Sequence, residues 1–325
     1  MPIILPADLP AAATLRHEGV AVLDRPDATR RTLQVALVNL MPDRPTTETQ
    51  FARLLGRSSF DVALTLVIPD SHEPKTTPAA HIAAFYRRWS EIADGRFDGL
   101  IVTGAPVEHL PFADVHYWTE LTRIFDWART RLRGSYYVCW AAQAALKHFY
   151  GVEKRALPEK AFGVFAQRVT MAGPALMRGL PEIFPTPVSR HTEMRCTDIP
   201  WSCGLLPLAA SPRSGLALAE DRPNRAVYMF NHLEYDVDTL QKEYLRDRAA
   251  GLPIAVPVGY FPGDDPARAP TNTWRRAGET LIGNWLTDIA TRDCIRPAAA
   301  PRLPSSRPWL NTDRGAPARR TATAP

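Results

Sequence analysis

The chain has 325 residues, 45% of them hydrophobic, which is enough for one large α/β domain or two small ones with a sizeable core. No apolar run approaches the roughly 18 residues of a membrane span, and the N-terminal "MPIILPADLPAAATLRHEG" lacks the basic start of a secretion signal. The formal net charge is +5, but residues 296–325 hold six arginines against the single acid Asp313, so the body is neutral and a nucleic-acid partner is not expected.

In chain order, "TLQVALVNLM" (32–41) is a near-continuous apolar run, the signature of a buried parallel strand. "TTETQFARLLGRSS" reads as a helix capped by Thr46 or Thr47 and stopped at Gly56. "DVALTLVIP" (61–69) predicts a second strand, "AAHIAAFYRRWSEIAD" (79–94) one helix, and "FDGLIVTGAP" (97–106) a third strand. "HYWTELTRIFDWARTR" (116–131) is an amphipathic helix leading into "YYVCWAAQAALKHFYG" (136–151), which starts as a strand and finishes as a helix. Residues 160–225 are less regular. "RAVYMFNHLEYD" (225–236) restores a strand, followed by the helices "VDTLQKEYLRDRAAG" and "ETLIGNWLTDI".

Strand and helix thus alternate four times, which predicts a doubly wound, mostly parallel sheet with helices on both faces. There is no internal repeat. One α/β domain is expected over residues 1–295, and the Pro/Ala/Arg-rich tail 296–325 has the composition of a disordered segment. Four cysteines (Cys139, Cys196, Cys203, Cys294) are too few and scattered for a disulfide framework, and no CxxC pair suggests zinc. A reduced, cytoplasmic protein without a metal is expected.

Cys139 sits where the strand at 136–138 becomes a helix. Such an elbow presents its side chain at the carboxyl edge of a parallel sheet, where α/β enzymes place their chemistry. The helix N-terminus behind the sulfur favours the thiolate. A nucleophile needs a base, and His232 lies at the end of the apolar "AVYMF" with Glu234 two positions later. If the strand continues, both side chains face one way, completing a nucleophile, a base and an orienting acid. Spacing alone also allows a glutaminase or amidase, or a non-catalytic binding protein on the same scaffold.

An elbow cysteine followed by His-x-Glu near the far end of the domain resembles the class I glutamine amidotransferase fold, which is flavodoxin-like. Longer stretches, "ALVNLMPDRPTTETQFARLLG", "PDSHEPKTT", "FDGLIVTGAPVE", "SRHTE", "HLEYD" and "YFPGDDP", resemble one branch of it, the homoserine O-acyltransferases of methionine biosynthesis. The resemblance covers about residues 1–290.

It implies that Cys139 takes an acyl group from acyl-CoA as a thioester, that His232 deprotonates the hydroxyl of L-homoserine, and that Glu234 holds the imidazole. The backbone N–H of Trp140 would join the oxyanion hole. Lys160 in "PEKAFGVF", Ser189 in "VSRHTE" and Arg246 in "EYLRDR" match substrate-binding positions, although each alone reads as a surface residue or turn hydroxyl. Glu108 in "TGAPVEHL" matches the position where glutamate goes with acetyl-CoA and glycine with succinyl-CoA. Acetyl-CoA or succinyl-CoA is then a co-substrate, no separate cofactor is implied, and a homodimer is expected. His148 and His191 read as structural.

The chain departs from this pattern at Ala141 and Asn231, where glycine is usual, at Val188, where histidine is usual, and at Arg44, where lysine is common. "WRRAG" (274–278), with Arg276 and Ala277, replaces a Ser-His pair. These departures leave the triad intact and keep L-serine open as an acceptor.

Overall fold

The computed structural model describes residues 1–200 and 204–292; the basic tail, Cys203, Cys294 and the expected domain end at 295 lie outside the described residues. The strands are β1 (Ile3–Ile4), β2 (Val22–Leu23), β3 (Thr32–Val38), β4 (Asp61–Ile68), β5 (Tyr86–Arg88), β6 (Gly99–Val102), β7 (Gly134–Val138), β8 (Arg155–Val169), β9 (Ile183–Glu193), β10 (Leu205–Ser211), β11 (Gly215–Asp221) and β12 (Ala226–Met229). The helices are α1 (Pro10–His17), α2 (Arg44–Gly56), α3 (Ala79–Phe85), α4 (Trp89–Ile92), α5 (Trp118–Arg131), α6 (Trp140–Tyr150), α7 (Thr239–Ala249) and α8 (Arg275–Thr291). None of the described helices is long and apolar enough to cross a membrane.

The strands form one sheet in the order β2-β1-β4-β3-β6-β7-β12-β11-β10-β8-β9, with β5 beside β4. From β2 to β12 every pairing is parallel; from β12 to β9 every pairing is antiparallel. The central parallel strands are mostly apolar because both their faces are covered. Val35 and Leu37 of β3 join one core with α1, α2 and α8, while Ala36 and Val38 join the other with α5 and α6. Tyr136 and Val138 of β7 face the first core and Tyr137 the second. The α/β class with helices on both faces is therefore as expected. The order of winding reverses between β3 and β6, and ligands of such sheets bind in the crevice above that point.

Several local expectations change. α2 starts at Arg44, earlier than expected, because Asp43 accepts the Thr46 N–H at 3.2 Å as the N-cap and Pro45 fits the first turn. The helix expected over 79–94 breaks into α3, β5 and α4. Tyr86 is pulled into the sheet opposite Leu66, and its hydroxyl is tied to Glu48 at 2.6 Å and Asn39 at 2.9 Å, so tertiary contacts override helix propensity. The strand expected through 225–236 ends at Met229, and His232 and Glu234 lie in the turn beyond it.

The region that reads as irregular holds the antiparallel extension, including the 15-residue β8. Pro185 and Pro187 obscure β9, yet β9 is the sheet's edge, where a missing donor is tolerated. Gly163 lets β8 carry a second backbone partner: Val164 N–H donates to Val258 O at 2.8 Å, and Val258 N–H donates to Phe162 O at 3.0 Å. A Cβ on Gly163 would lie 2.2 Å from Val258 O, and its φ of 144° suits glycine alone.

Candidate active site

β7 is a run of β-formers and α6 a run of helix-formers, so the chain must turn sharply at the one residue between them. Cys139 takes φ 50° and ψ −114°, a costly conformation for a non-glycine residue. The surroundings hold it on both sides. Its N–H donates to Met229 O of β12 at 2.7 Å, and its carbonyl accepts from the N–H groups of Ala142 and Gln143 at 3.1 and 3.2 Å. α6 ends at Gly151 in the left-handed conformation, as its sequence predicts. Trp140 is the first residue of α6, where backbone N–H groups have no acceptor within the helix. The loops after β3 and β6 close on the thiol: a Cβ built on Gly104 would lie 3.9 Å from Cys139 Sγ and 3.8 Å from Met41 Sδ. Cys139 is 6% exposed.

His232 reaches the thiol from the turn after β12. Its N–H donates to Pro187 O of β9 at 2.9 Å, its ring stacks on Tyr235 with centroids 4.1 Å apart, and its Nδ1 lies 2.6 Å from Glu234 Oε1. The two side chains meet although the strand does not continue, because the turn brings the carboxylate back to the ring. Burial pulls the pKa of His232 down, but the charge of Glu234 and the charge and hydrogen bond of Cys139 outweigh it and raise it to about 10. The pocket therefore favours an imidazolium held between a carboxylate and the sulfur. With Nδ1 on Glu234, Nε2 is the atom left for the thiol.

Lys160 of β8, Ser189 of β9 and Arg246 of α7 converge on two acids of α7. Lys160 Nζ donates to Glu243 Oε1 at 2.6 Å and lies 3.6 Å from Asp247 Oδ2; Ser189 Oγ donates to the same Glu243 oxygen at 2.8 Å. Arg246 pairs with Asp247 Oδ1 at 2.7 Å and leaves its side chain 67% exposed. Glu243 has no sequence signal of its own, yet it stands one helical turn before Arg246, where the two side chains share a face. Arg190 is equally unmarked in the sequence. It is buried beside Ser189, and its Nη1 donates to Asn231 Oδ1 at 2.6 Å while Asn231 Nδ2 donates to Thr186 Oγ1 at 2.7 Å. Burial lowers the pKa of Arg190 against the opposing charges of Cys139, Glu193 and Glu108.

The departures now have places. Ala141 lies inside α6 and needs no positive φ, so its methyl group costs nothing there. Asn231 replaces glycine with a bridge between Arg190 and Thr186, both of β9, and Val188 is buried next to Ser189. Arg44 is buried, with Nη2 3.1 Å from His72 Nε2. Ala277 and Gly278 belong to α8, which lies so close to the turn bearing His232 and Glu234 that a Cβ on Gly278 would meet Leu233 O at 2.9 Å. Nothing in the structure explains Arg276.

Glu108 follows β6 and lines a cavity of about 420 Å³ with His109, Lys147, Lys154 and Thr192. Its Oε1 accepts the His191 N–H at 3.3 Å, and its charge acts on Arg190 and Tyr235, which also feel Cys139. His148 pairs with Asp126 at 2.8 Å, remote from these groups, whereas His191 stands next to Glu108.

The family model for homoserine O-succinyltransferase matches residues 2–293. A homoserine O-acetyltransferase of Rhizorhabdus wittichii is 51% identical over 292 residues, spanning 89% of this chain and 91% of that protein. Another, of Hyphomonas neptunium, is 51% identical over 290 residues, spanning 88% and 95%. Among solved structures, a putative GMP synthase protein of Thermoplasma acidophilum superposes with a TM-score of 0.50 at 13% identity, covering 80% of this chain and 95% of that one, a likeness of fold alone.

Proposed function

The chain belongs to the homoserine O-succinyltransferase family and is an acyltransferase of homoserine, and from that premise we propose that it carries an acetyl group from acetyl-CoA to the hydroxyl of L-homoserine through a thioester on Cys139. The reaction serves methionine biosynthesis. The observation that carries this reading is the Cys139–His232–Glu234 constellation at the elbow, with His232 drawn to the protonated form.

In the first half-reaction the Cys139 thiolate attacks the acyl carbonyl, and the developing oxyanion meets the Trp140 N–H. The tetrahedral species collapses, the C–S bond to CoA breaks, and His232 gives its proton to the departing sulfur. Acylation removes the negative charge on Cys139, and with it two of the influences that raise the His232 pKa. Burial and Glu234 remain, so the imidazole becomes a better base as the second half-reaction begins. His232 then takes the hydroxyl proton as the homoserine oxygen attacks the thioester, and Cys139 leaves as thiolate. The original ion pair is restored. One histidine thus serves both steps because its partner's charge comes and goes.

Homoserine brings an ammonium and a carboxylate. Glu243, tied to Lys160 and Ser189, offers a carboxylate for the first, and Arg246 one turn later offers a guanidinium for the second. Two things support acetyl over succinyl: the names of the relatives at 51% identity, and Glu108, a carboxylate that would repel the succinyl carboxylate. We also propose a cytoplasmic homodimer, on the resemblance alone.

The test is a matrix of the purified chain with acetyl-CoA or succinyl-CoA and homoserine or serine, read as released CoA thiol. Acetyl-CoA with homoserine should be fastest. Acetyl-CoA alone should add one acetyl mass to the Cys139 peptide and none to Cys139→Ala. Label on Cys196, Cys203 or Cys294, or ammonia release from glutamine in place of acyl transfer, would overturn the assignment.

A further inference from the structure

His109 and His191 are far apart in sequence and in different settings, one on the loop after β6 and the other on β9. The fold brings their rings to 4.7 Å between centroids, inclined by 51°, and sets both against Glu108. One ligand atom from each of Glu108, His109 and His191 lies within 4.8 Å of the other two. No ring nitrogen of either histidine makes a hydrogen bond to a protein group among the described residues; His191 Nε2 is 3.9 Å from Glu108 Oε1. The carboxylate is steadied by the His191 N–H, and Lys154 Nζ holds the loop through the carbonyls of Glu108 and Leu110, each at 2.5 Å.

We propose that Glu108, His109 and His191 form a binding site for a first-row transition-metal dication, zinc above all, at the mouth of the acyl pocket. Two imidazoles and one carboxylate are a donor set that such ions prefer to oxygen-only sites. Zinc bonds of about 2.0–2.1 Å require donors about 3.3 Å apart, so from a spacing of up to 4.8 Å the groups must close by up to about 1.5 Å. Exposed His109 can make most of that movement. The cavity lined by Glu108 and His109 leaves room for water at the remaining positions. Lys154 and Lys160 place positive charge nearby and oppose the ion, while the Glu108 carboxylate favours it.

An ion at this site would hold Glu108 and so compete with acyl-CoA, a consequence that rests on the placement of Glu108 proposed above; the binding itself does not. The experiment titrates the full, untagged chain with Zn²⁺ by calorimetry and with Co²⁺ by absorption. The expected result is one site whose Co²⁺ spectrum lacks an intense thiolate charge-transfer band. His109→Ala and His191→Ala should each weaken binding at least about tenfold. His116→Ala, which removes the other close histidine pair, should leave it unchanged. Unaltered affinity in His109→Ala, a thiolate band implicating Cys139, or no binding of either ion would overturn the proposal. Kinetics are read separately: Zn²⁺ should raise the KM for acyl-CoA in wild type and not in His109→Ala. If the metal binds as expected without competing, the site stands and the position of Glu108 in the acyl pocket falls.

Discussion

In the parallel half of the sheet, β3, β4, β6, β7 and β12 are mostly apolar, buried on both faces and gripped between two layers of helices. In the antiparallel half, β8 runs for 15 residues with exposed and buried positions interleaved, and β9 is an edge. The first arrangement is stiff, and it holds Cys139 in a conformation that would otherwise relax. The second carries charged and polar side chains on strands, and from it come Lys160, Ser189, Arg190 and His191. The halves meet at His232, whose turn leaves β12 and whose backbone N–H is held by Pro187 of β9. In the proposed chemistry the parallel half makes and breaks bonds, and the antiparallel half with α7 selects what is bound. Substitutions in the first should act on kcat and those in the second on KM.

The largest effect should come from the parallel half. His232→Ala is expected to lower kcat by roughly 10²–10⁴, since in the proposed chemistry both half-reactions move a proton through this ring, with Glu234→Gln losing less because orientation partly survives. The same pair gives a pH signature. The His232 pKa is raised in the folded state, so its contribution to stability is fully present below the unfolded value near 6.5 and is lost as pH rises through about 10. Urea midpoints between pH 6.5 and 10 should therefore fall more steeply for wild type than for His232→Gln. Equal slopes would mean that the imidazolium is not held by Glu234 and the sulfur.

How far the two halves could be read from sequence differs for the same physical reason. Apolar runs and an abrupt change of propensity at Cys139 reveal parallel strands and the elbow, because burial on both faces leaves little freedom of composition. Strands with one solvated edge tolerate Pro185 and Pro187, so β9 carries no clear period. His232 and Glu234 were legible as a pair, though for the wrong geometry: a turn brings them together, not a continuing strand. Glu243 and Arg190 have no local signal of their own. Only their neighbours, Arg246 one turn on and the unusual Asn231, point to them.

The next largest effect is on stability and lies in the antiparallel half. Gly163→Ala places a methyl group against Val258 O in a backbone region closed to side chains, and should cost roughly 2–4 kcal/mol, seen as a lower Tm. In protein that remains folded, acylation of Cys139 should persist while the KM for homoserine rises, because Lys160 rides on the same strand. Loss of acylation at full folding would break the division between the halves.

Arg246→Ala sharpens the comparison further. Losing the proposed charge-assisted contact to the acceptor carboxylate is worth about 1.5–3 kcal/mol, so the homoserine KM should rise roughly 10- to 100-fold with little change in that of acyl-CoA. The exposed guanidinium is free to turn from Asp247 towards a ligand. Equal effects on both substrates would make Arg246 a structural partner of Asp247.

The smallest expected effect tests the exception, since Glu108 follows β6 of the parallel half yet is proposed to select the donor. A carboxylate there takes room a succinyl chain needs and sets like charge against it; two such charges about 4 Å apart repel by roughly 4 kcal/mol at an effective dielectric near 20. That figure is a ceiling, because Glu108 retains 17% of its side-chain exposure and the longer chain can bend towards solvent. Glu108→Gly should therefore move the kcat/KM ratio towards succinyl-CoA by roughly tenfold, about 1.4 kcal/mol, with the acetyl rate little changed. Glu108→Gln separates the two causes, keeping the bulk and removing the charge. If Gln behaves as Gly, repulsion dominates; if it behaves as Glu, space does. A wild type that uses succinyl-CoA better than acetyl-CoA would remove Glu108 from donor selection altogether.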